Sequence, residues 1–352
     1  MKEAINKKYL SIYETVRQDI ISGVYPSGSK LPSKRVMAEG CNASLITIEH
    51  AYELLIEEGY ITPKEKSGYY VTFEAENSFS VPERRLSKRY VEQETEIEGI
   101  SYNIYARTAR RVLSEYAEEL MQKTSGSGAQ ILREAIAGYL GRSRHIYVSY
   151  DQIIIGSGAE YLYSLIIQAW GREVVYGIED PSYEKIAQVY EAGGARVDRL
   201  KLGSDGIESS ALWSTDAKVL HISPYKSYPS RVTASAAKKR EYLKWSLEKE
   251  GIIIEDDYES EFTPSRKPEE TLFSLDESDR VIYVNTFTQT VGASVRTAYM
   301  VIPRSMKPKL REKIGFYSCP VPTYEQYILA ELIDNGDFER HINRVRRNNR
   351  RK

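Results

Sequence analysis

Two stretches of the sequence combine residue types that could hold a charged small molecule. Residues 156–159 (Gly-Ser-Gly-Ala) form a turn of small residues directly after an apolar run, and backbone N–H groups at such a turn, where a helix starts, suit a phosphate. Residues 255–258 (Glu-Asp-Asp-Tyr) place acidic and phenolic groups after a second apolar run. Each stretch alone is a weak indication, because Gly-Ser turns and acidic loops are common on protein surfaces.

The elements around these stretches predict where they lie. Beyond about residue 100, helical periodicity alternates with short apolar runs typical of strands. The predicted helices cover 106–122, 130–142, the residues after Gly158, 183–191 and 234–250, and the predicted strands cover 152–155, 174–178, 196–202, 219–222, 252–255, 281–286 and 298–302. Such alternation predicts an α/β domain with a mainly parallel sheet covered by helices on both faces. Ligands bind such sheets at the carboxyl ends of the strands, where the candidate residues lie.

The first 72 residues have a different organisation, with three short helices followed by a β-hairpin. Apolar residues recur with helical spacing over 10–21, and glycine and proline residues then end that helix. Ser33 and Ser44 are suited to cap a second and a third helix. Two β-rich runs, at 60–62 and 69–72, are joined by a turn and predict a hairpin.

Three helices and a hairpin predict a winged helix, which gives DNA binding a mechanism. A capped third helix of this length fits the major groove, and a wing that carries Lys64 and Lys66 can contact phosphate or the minor groove. The alternative is a three-helix packing module without a role in DNA binding. The formal net charge of −1 does not decide between them, so the interpretation depends on local pattern.

Composition and charge distribution predict the domain organisation. A length of 352 residues with 41% apolar side chains suggests two domains. Residues 73–99 are highly charged and lack a sustained period, which is typical of a linker. We therefore expect a DNA-binding domain at 1–72, a linker at 73–99 and an α/β domain at 100–352.

Several classes of protein are disfavoured by the sequence. No apolar run approaches the roughly 20 residues that span a bilayer, and no signal-peptide core follows Met1. We therefore expect a cytoplasmic protein. Cys41 and Cys319 have neither a CxxC neighbour nor a nearby histidine, so we expect no disulfide and no metal site.

The N-terminal segment resembles the DNA-binding domain of GntR-family regulators. The similarity lies in the run YETVRQDIISGVYPSGSKLPSKRVMAEGCNASLITIEHAYELLIEEGYI and the following GYYV. The resemblance implies DNA contacts at the second helix, at the third helix and at the tip of the wing, made by Ser33, Lys34, Arg35, Ser44, Thr47, His50 and Gly68. Thr47 and His50 are expected on or near the outer face of the third helix. Leu45 and Ile46 depart from the family, which usually has an arginine and a polar residue at these two positions, and a leucine there could contact a thymine methyl group.

The remainder of the chain resembles the fold type I aminotransferase domain of MocR-type regulators, a branch of the GntR family. The similar segments, in order, are LREAIAGYL, IIIGSGAEY, EDPSYEKI, SPYKSYPS, IIIEDDYESEF, SLD and VIYVNTFTQTVGASVRTAYMVIP. The resemblance covers about residues 100–347. It implies binding of pyridoxal 5′-phosphate and assembly into a homodimer.

The resemblance also implies a role for each residue of the cofactor site. The phosphate would lie on Ser157, Gly158 and Ala159, with Arg296 near it. Tyr183 would stack on the pyridine ring. Asp256 would pair with the ring nitrogen and Tyr258 would hydrogen-bond the ring oxygen.

The sequence departs from the family at the catalytic position. Gln289 occupies the place of the Schiff-base lysine, and glutamine can neither form that bond nor shuttle the substrate proton. Lys226, in a loop expected near the same strand ends, is the alternative source of an amine. Lys123 stands where a tyrosine normally reaches the partner's phosphate, and Arg231 replaces a usual glycine.

The end of the chain departs from the family as well. Residues 338–352 predict the start of a long helix, which in the family leads into a C-terminal subdomain, so we expect a C-terminally truncated domain. The basic run in this segment is consistent with DNA contact or with an exposed helix end.

These features favour a DNA-binding transcriptional regulator whose aminotransferase-like domain senses a small molecule and is not an enzyme. The domain would bind pyridoxal phosphate non-covalently, bind another effector such as an amino acid or a pyridoxal-phosphate-like compound, or have lost ligand binding. One alternative is an active pyridoxal-phosphate-dependent aminotransferase with an accessory DNA-binding domain. Another is a degenerate, truncated regulator. A pure protein-interaction module is disfavoured by the winged helix.

Overall fold

The structure is a computed structural model that describes residues 2–65, 67–73, 99–263 and 270–350 of the chain. The chain divides into two compact units, Met1–Glu92 and Gln93–Lys352. Most of the predicted linker, residues 74–98, lies outside the described residues, as does Lys66. Within the described ranges, no helix is both long and apolar enough to cross a membrane.

The first unit is a winged helix, as predicted. Its elements in chain order are α1 (Lys2–Ile21), α2 (Lys34–Gly40), α3 (Leu45–Glu57), β1 (Ile61–Lys64) and β2 (Gly68–Val71). The two strands are antiparallel, with Ile61 opposite Val71 and Lys64 opposite Gly68. Helix α1 begins eight residues earlier than the apolar spacing predicts, because residues 2–9 contain no helix breaker although their apolar periodicity is weak.

The core of this unit joins α3 to α1 and to the hairpin. Ile48, Ala51 and Leu55 on α3 are fully buried, and burial of each large aliphatic side chain stabilises the fold by about 1.5–3 kcal/mol. Tyr52 is also buried, and its hydroxyl donates to the carbonyl of Pro32 at 2.8 Å. This bond fixes α3 to the start of α2, so the two helices that are candidates for DNA contact are held together.

The second unit is an α/β domain. Its strands are β3 (Ile153–Gly156), β4 (Val175–Asp180), β5 (Arg196–Gly203), β6 (Gly206–Ile207), β7 (Val219–Ile222), β8 (Ile252–Asp256), β9 (Val281–Thr286) and β10 (Ala298–Val301). Its helices are α4 (Tyr102–Glu115), α5 (Gln130–Arg144), α6 (Ala159–Trp170), α7 (Glu184–Ala192), α8 (Ser209–Ser214), α9 (Ala236–Glu248), α10 (Leu272–Leu275), α11 (Lys307–Ile314), α12 (Thr323–Asp334) and α13 (Asp337–Asn349).

The strands form one eight-stranded sheet in the order β3-β10-β9-β8-β7-β4-β5-β6. The central run from β9 to β5 is parallel, whereas β10 is antiparallel to both of its neighbours and β6 is antiparallel to β5. The predicted mainly parallel sheet is therefore confirmed. Because β3 and β9 flank β10 and both run against it, the carboxyl ends of β3, β7, β8 and β9 lie along the same edge.

Several elements differ from the predicted ones. Helix α4 is shifted towards the N-terminus of the predicted 106–122, because residues 119–121 form a separate tight turn that apolar spacing does not distinguish from α-helix. Helices α8, α10, α11 and α12 and strand β6 were not predicted. Helix α12 packs against α4 and α5, and it contributes Leu329, Leu332 and Ile333 to the core.

Candidate functional site

A cavity of about 390 Å³ opens at the shared edge of the sheet, where the strands end. Six of the predicted site residues line it: Ala159, Tyr183, Asp256, Tyr258, Gln289 and Arg296. They come from the start of α6, the loop before α7, the end of β8 and the segment between β9 and β10. The sheet topology thus brings together residues that lie up to 137 positions apart in the sequence, from Ala159 to Arg296.

The turn before α6 has the geometry of an anion cradle. Gly158 has φ of +88°, a conformation that favours glycine. A side chain here would also collide with Arg296, because a Cβ atom would lie 2.9 Å from its Nη2 atom. The first turn of α6 leaves backbone N–H groups without helical acceptors, and the helix dipole favours a negative charge at this end.

In the described structure the negative charge at this cradle comes from Glu160. Arg296 donates from Nη2 to Glu160 Oε2 at 3.0 Å, and Lys185 Nζ lies 3.8 Å from Glu160 Oε1. Glu160 was not predicted as a site residue from the sequence, although it is an acidic residue in the first helical turn after a turn of small residues. The arginine expected near the phosphate is therefore paired with a carboxylate of the protein itself.

Asp256 presents a carboxylate to the cavity from a buried position. Its Oδ2 atom accepts a short hydrogen bond from the hydroxyl of Tyr163 and lies 3.4 Å from His221 Nε2. The opposite ring nitrogen of His221 lies 2.7 Å from the hydroxyl of Tyr190. Among the described residues, Asp256 Oδ1 has no hydrogen-bond partner, which leaves this oxygen for a donor inside the cavity.

The groups behind Asp256 keep its carboxylate oriented. Burial raises the pKa of the Tyr163 hydroxyl well above its usual value, and the adjacent Asp256 charge raises it further. Tyr163 therefore stays neutral and donates its proton. The sequence did not reveal Tyr163, His221 or Tyr190, because single aromatic residues within apolar helices and strands look like ordinary core.

Two aromatic residues form part of the cavity wall. Tyr183 is 40% exposed and makes an edge-to-face contact with Tyr228, with 6.1 Å between the ring centroids. The hydroxyl of Tyr258 donates to the backbone carbonyl of Lys226 at 3.0 Å. That bond ties the end of β8 to the loop after β7, and it leaves the Tyr258 oxygen able to accept a hydrogen bond.

Gln289 faces the cavity at the position where the resemblance implies a lysine. Its carboxamide makes no hydrogen bond to any described residue, and no described lysine lines the cavity. Lys226, the alternative amine, lies outside the cavity wall with its ammonium 5.1 Å from the centroid of the Tyr225 ring. Arg231 and Lys123 are the other two positions at which the sequence departs from the family. Arg231 pairs with Glu259 at 3.3 Å, and Lys123 is exposed.

In the winged helix, the two predicted caps are present. Ser33 Oγ accepts from the N–H of Val36 at 3.3 Å, and Ser44 Oγ accepts from the N–H of Thr47 at 3.2 Å. The expected position of Thr47 on the outer face is wrong. Thr47 is only 6% exposed, because its hydroxyl turns back to lie 2.7 Å from Ser44 Oγ.

The outer surface of α2 and α3 combines polar and apolar groups. Arg35 and His50 are exposed, and so are Leu45 and Ile46, at 49% and 64%. Lys34 is partly buried, and its Nζ atom lies 2.5 Å from Glu49 Oε1, so a neighbouring carboxylate neutralises its charge.

Of the two lysines predicted to act in the wing, Lys64 is described by the structure. Lys64 is exposed, with its ammonium 4.3 Å from the centroid of the Tyr70 ring. Gly68 has φ of +122° and lies against Lys30, whose Cε atom would be 2.9 Å from a Cβ atom at position 68. Lys66 falls in the gap between described residues.

Comparison with known families and proteins agrees with both units. Residues 8–71 match the family described as bacterial regulatory proteins, gntR family. The HTH-type transcriptional regulator YdeL of Bacillus subtilis is 30% identical, with 98% of this chain and 77% of that protein covered. The probable rhizopine catabolism regulatory protein MocR of Rhizobium meliloti is 25% identical, over 96% and 73% of the respective chains. The pyridoxine biosynthesis regulator PdxR of Corynebacterium glutamicum is also 25% identical.

Solved structures with a similar fold include aminotransferases. Kynurenine aminotransferase of Pyrococcus horikoshii, in complex with PMP, has a TM-score of 0.64 at 24% identity. The α-aminoadipate aminotransferase LysN of Thermus thermophilus, complexed with N-(5′-phosphopyridoxyl)-L-leucine, has a TM-score of 0.62 at 23% identity. The chain spans 64% of the length of each, with 70% of its own residues matched. These similarities establish the fold of the larger unit.

The winged helix, the aminotransferase fold and the similarity to transcriptional regulators over nearly the whole chain together identify the family. It belongs to the GntR family of bacterial regulatory proteins, in the MocR-type branch, and is a DNA-binding transcriptional regulator with an aminotransferase-like domain.

Proposed function

We propose that the aminotransferase-like domain is a sensor without transaminase activity. Its cavity binds a phosphopyridoxyl compound non-covalently, and occupancy changes the affinity of the winged helix for operator DNA. The observation that carries this proposal is the position of Gln289, which lines the cavity where a catalytic amine would have to lie.

The cavity walls suit the ring and the phosphate of such a ligand. The Gly158 turn and the start of α6 offer backbone donors for a phosphate, and Arg296 is adjacent. Asp256 Oδ1 can accept a hydrogen bond from a protonated ring nitrogen. Pyridoxal phosphate, when bound, supplies an electron sink for carbanions, but Gln289 cannot take up or return the substrate proton.

The DNA-binding surface is proposed to be the exposed side of α2 and α3 together with the wing. Arg35 and Lys64 would contact phosphates, and the N-terminal turn of α3 would enter the major groove. His50 and the apolar side chains of Leu45 and Ile46 would then face base edges. Ser33 and Ser44 would position these contacts as caps.

We further propose that the regulator acts as a homodimer in the cytoplasm. Large apolar side chains are exposed on the described surface of the second unit, including Tyr102 at 80%, Leu113 at 60% and Met121 at 88%. Contiguous exposed apolar patches are typical of surfaces covered by a partner, and we propose that these side chains belong to such a surface. The proposed division remains 1–72 for DNA binding, 73–99 for the linker and 100–352 for sensing.

DNA binding and ligand response can be tested with one assay. Fluorescence anisotropy of the full chain should show tighter binding to DNA from upstream of its own gene than to a shuffled sequence. Addition of pyridoxal or pyridoxamine phosphate should change that affinity. An equal affinity for both DNAs would contradict sequence-specific binding by the proposed surface. An affinity that the ligands leave unchanged would contradict the sensor proposal.

The lack of catalysis needs a separate assay. Transfer of amino groups from a panel of amino acids to 2-oxoacids should be absent in the wild-type chain with pyridoxal phosphate present. Turnover above that of free pyridoxal phosphate would instead support the alternative of an enzyme with an accessory DNA-binding domain.

A further inference from the structure

We infer that the cavity takes a phosphopyridoxyl compound that carries its own amino nitrogen, such as pyridoxamine 5′-phosphate, in preference to the aldehyde pyridoxal 5′-phosphate. The inference rests on the proposed function, because it specifies which chemical form of ligand the same cavity binds. Three features carry it: the free carboxamide of Gln289, the charges on the cavity wall, and the positions of the nearest lysines.

The backbone next to Gln289 is fixed by the residues before it. Phe287 is buried and its N–H donates to the carbonyl of Thr297 at 2.9 Å, while Thr288 Oγ1 donates to the carbonyl of Val295 at 3.1 Å. These bonds fix the backbone just before Gln289. Its side chain lines the cavity and has no partner among the described residues.

A free carboxamide in this place selects between the two forms of the ligand. The amide oxygen accepts a hydrogen bond from an ammonium group, and charge-assisted hydrogen bonds are stronger than neutral ones. An aldehyde has no proton to donate to that oxygen and can only accept a neutral hydrogen bond from the amide N–H. The amide nitrogen is also not a nucleophile that could bind the aldehyde carbon. Gln289 therefore stabilises the amine form more than the aldehyde form.

The charges on the wall act in the same direction. The described residues that line the cavity include two carboxylates, on Glu160 and Asp256, and one guanidinium, on Arg296. A ligand phosphate that draws Arg296 away from Glu160 leaves Lys185 as the one described residue that forms an ion pair with the Glu160 carboxylate. A ligand that brings an ammonium group offsets this negative charge, whereas the aldehyde does not.

The nearest lysines do not compensate for the missing amine. Lys185 Nζ lies beside Glu160 and 5.9 Å from the centroid of the Tyr183 ring, on a side chain that is 57% exposed. Lys226 lies over Tyr225. Neither residue lines the cavity. Pyridoxal phosphate therefore loses the covalent bond that normally gives it an advantage over the amine form.

The test is calorimetric titration of the full chain with pyridoxamine phosphate and with pyridoxal phosphate, followed by borohydride treatment and peptide mapping. We expect pyridoxamine phosphate to bind tighter by about tenfold or more, which corresponds to about 1.4 kcal/mol, and no peptide to carry a label. Tighter or equal binding of the aldehyde overturns the inference, as does borohydride labelling of Lys185 or Lys226. Binding of neither compound overturns the proposed function as well, so the two failures are distinguishable.

Two variants of one residue sharpen the result. Gln289→Lys should reverse the preference, with pyridoxal phosphate retained through dialysis and fixed by borohydride at position 289. Gln289→Ala should reduce the preference for the amine form without creating any covalent label. An unchanged preference in Gln289→Ala, with the circular dichroism spectrum of the wild type, would show that the carboxamide is not the selecting group and would overturn the inference.

Discussion

Arg296 and Glu160 form an ion pair across the mouth of the cradle, with 3.0 Å between Nη2 and Oε2. The two residues come from different elements, 136 positions apart in the sequence. Because the backbone of Gly158 lies against the same guanidinium, any phosphate bound at the start of α6 has to share Arg296 with Glu160. A bound phosphate therefore competes with Glu160 for Arg296. If Arg296 turns towards the phosphate, Lys185 can pair with Glu160 in its place.

Glu160→Gln should raise the affinity for phosphate-bearing ligands. Removal of the competing charge releases Arg296, and because a partly exposed ion pair is worth about 1 kcal/mol at most, the gain should be at most about fivefold. Calorimetry with pyridoxamine phosphate measures the change. Pyridoxamine, which lacks the phosphate, should show no gain, and Glu312→Gln on the exposed side of α11 serves as the matched control. Equal gains for both ligands would show that Glu160 does not act on the phosphate.

Arg35→Ala and Ile46→Ala should affect DNA binding in different ways. Loss of an exposed arginine that contacts a phosphate should weaken binding to all sequences and lower the slope of log affinity against log salt by about 1. Loss of the exposed Ile46 side chain should lower the ratio of operator affinity to shuffled-sequence affinity. It should leave the slope of log affinity against log salt unchanged. Anisotropy titrations at several salt concentrations give both quantities. Identical slopes for Arg35→Ala and the wild type would place Arg35 away from the phosphates.

The sequence was informative wherever local chemistry determines the structure. Ser33 and Ser44 cap their helices as predicted, because a serine oxygen before a helical run can accept from a free N–H of the first turn. The alternation of strands and helices predicted the mainly parallel sheet. Because the carboxyl ends of parallel strands share an edge, the same alternation also predicted that Asp256 lies near the turn at Gly158.

Contacts of individual side chains could not be predicted from the sequence. Thr47 has helical spacing that is consistent with either face, and its burial depends on a hydroxyl contact with Ser44. Glu160 and Arg296 each look like surface charges until the fold pairs them. Tyr163 and His221 lie in apolar segments, so only the folded structure shows that both approach the same oxygen of Asp256.

Ser44→Ala should destabilise the winged helix. The substitution removes the acceptor for the Thr47 N–H and the partner of the Thr47 hydroxyl, and loss of an N-cap costs about 1 kcal/mol. Ser44→Asn keeps a capping oxygen and should retain most of the stability.

The three tryptophans allow the two units to be followed separately during unfolding. Trp170, Trp213 and Trp245 all lie in the second unit, so tryptophan fluorescence should show an unchanged transition for Ser44→Ala while circular dichroism shows an earlier one. A shift of the fluorescence transition by the same amount would mean that the two units unfold together.

Glu261→Gln should flatten the dependence of stability on pH in the second unit. Burial raises the pKa of Glu261 to about 7, and the nearby Asp257 charge adds to the shift, whereas Arg144 opposes it. A carboxyl group whose pKa is higher in the folded state binds its proton more tightly there. Its contribution to stability is therefore complete below about pH 4.5 and is lost as the pH rises through about 7. The substitution retains an oxygen that can accept the Tyr139 hydroxyl.

The measurement is the urea midpoint from tryptophan fluorescence between about pH 5.5 and 8. Burial raises the pKa of Glu179 and Glu255 to about 7 as well, so the wild type should lose stability across this range and Glu261→Gln should lose less. Paired surface carboxylates such as Glu184, whose pKa is lowered by Arg199, act in the opposite sense. They titrate below about pH 4.5, outside the range measured. An equal loss of stability in Glu261→Gln and in the wild type across this range would show that Glu261 does not contribute to the pH dependence.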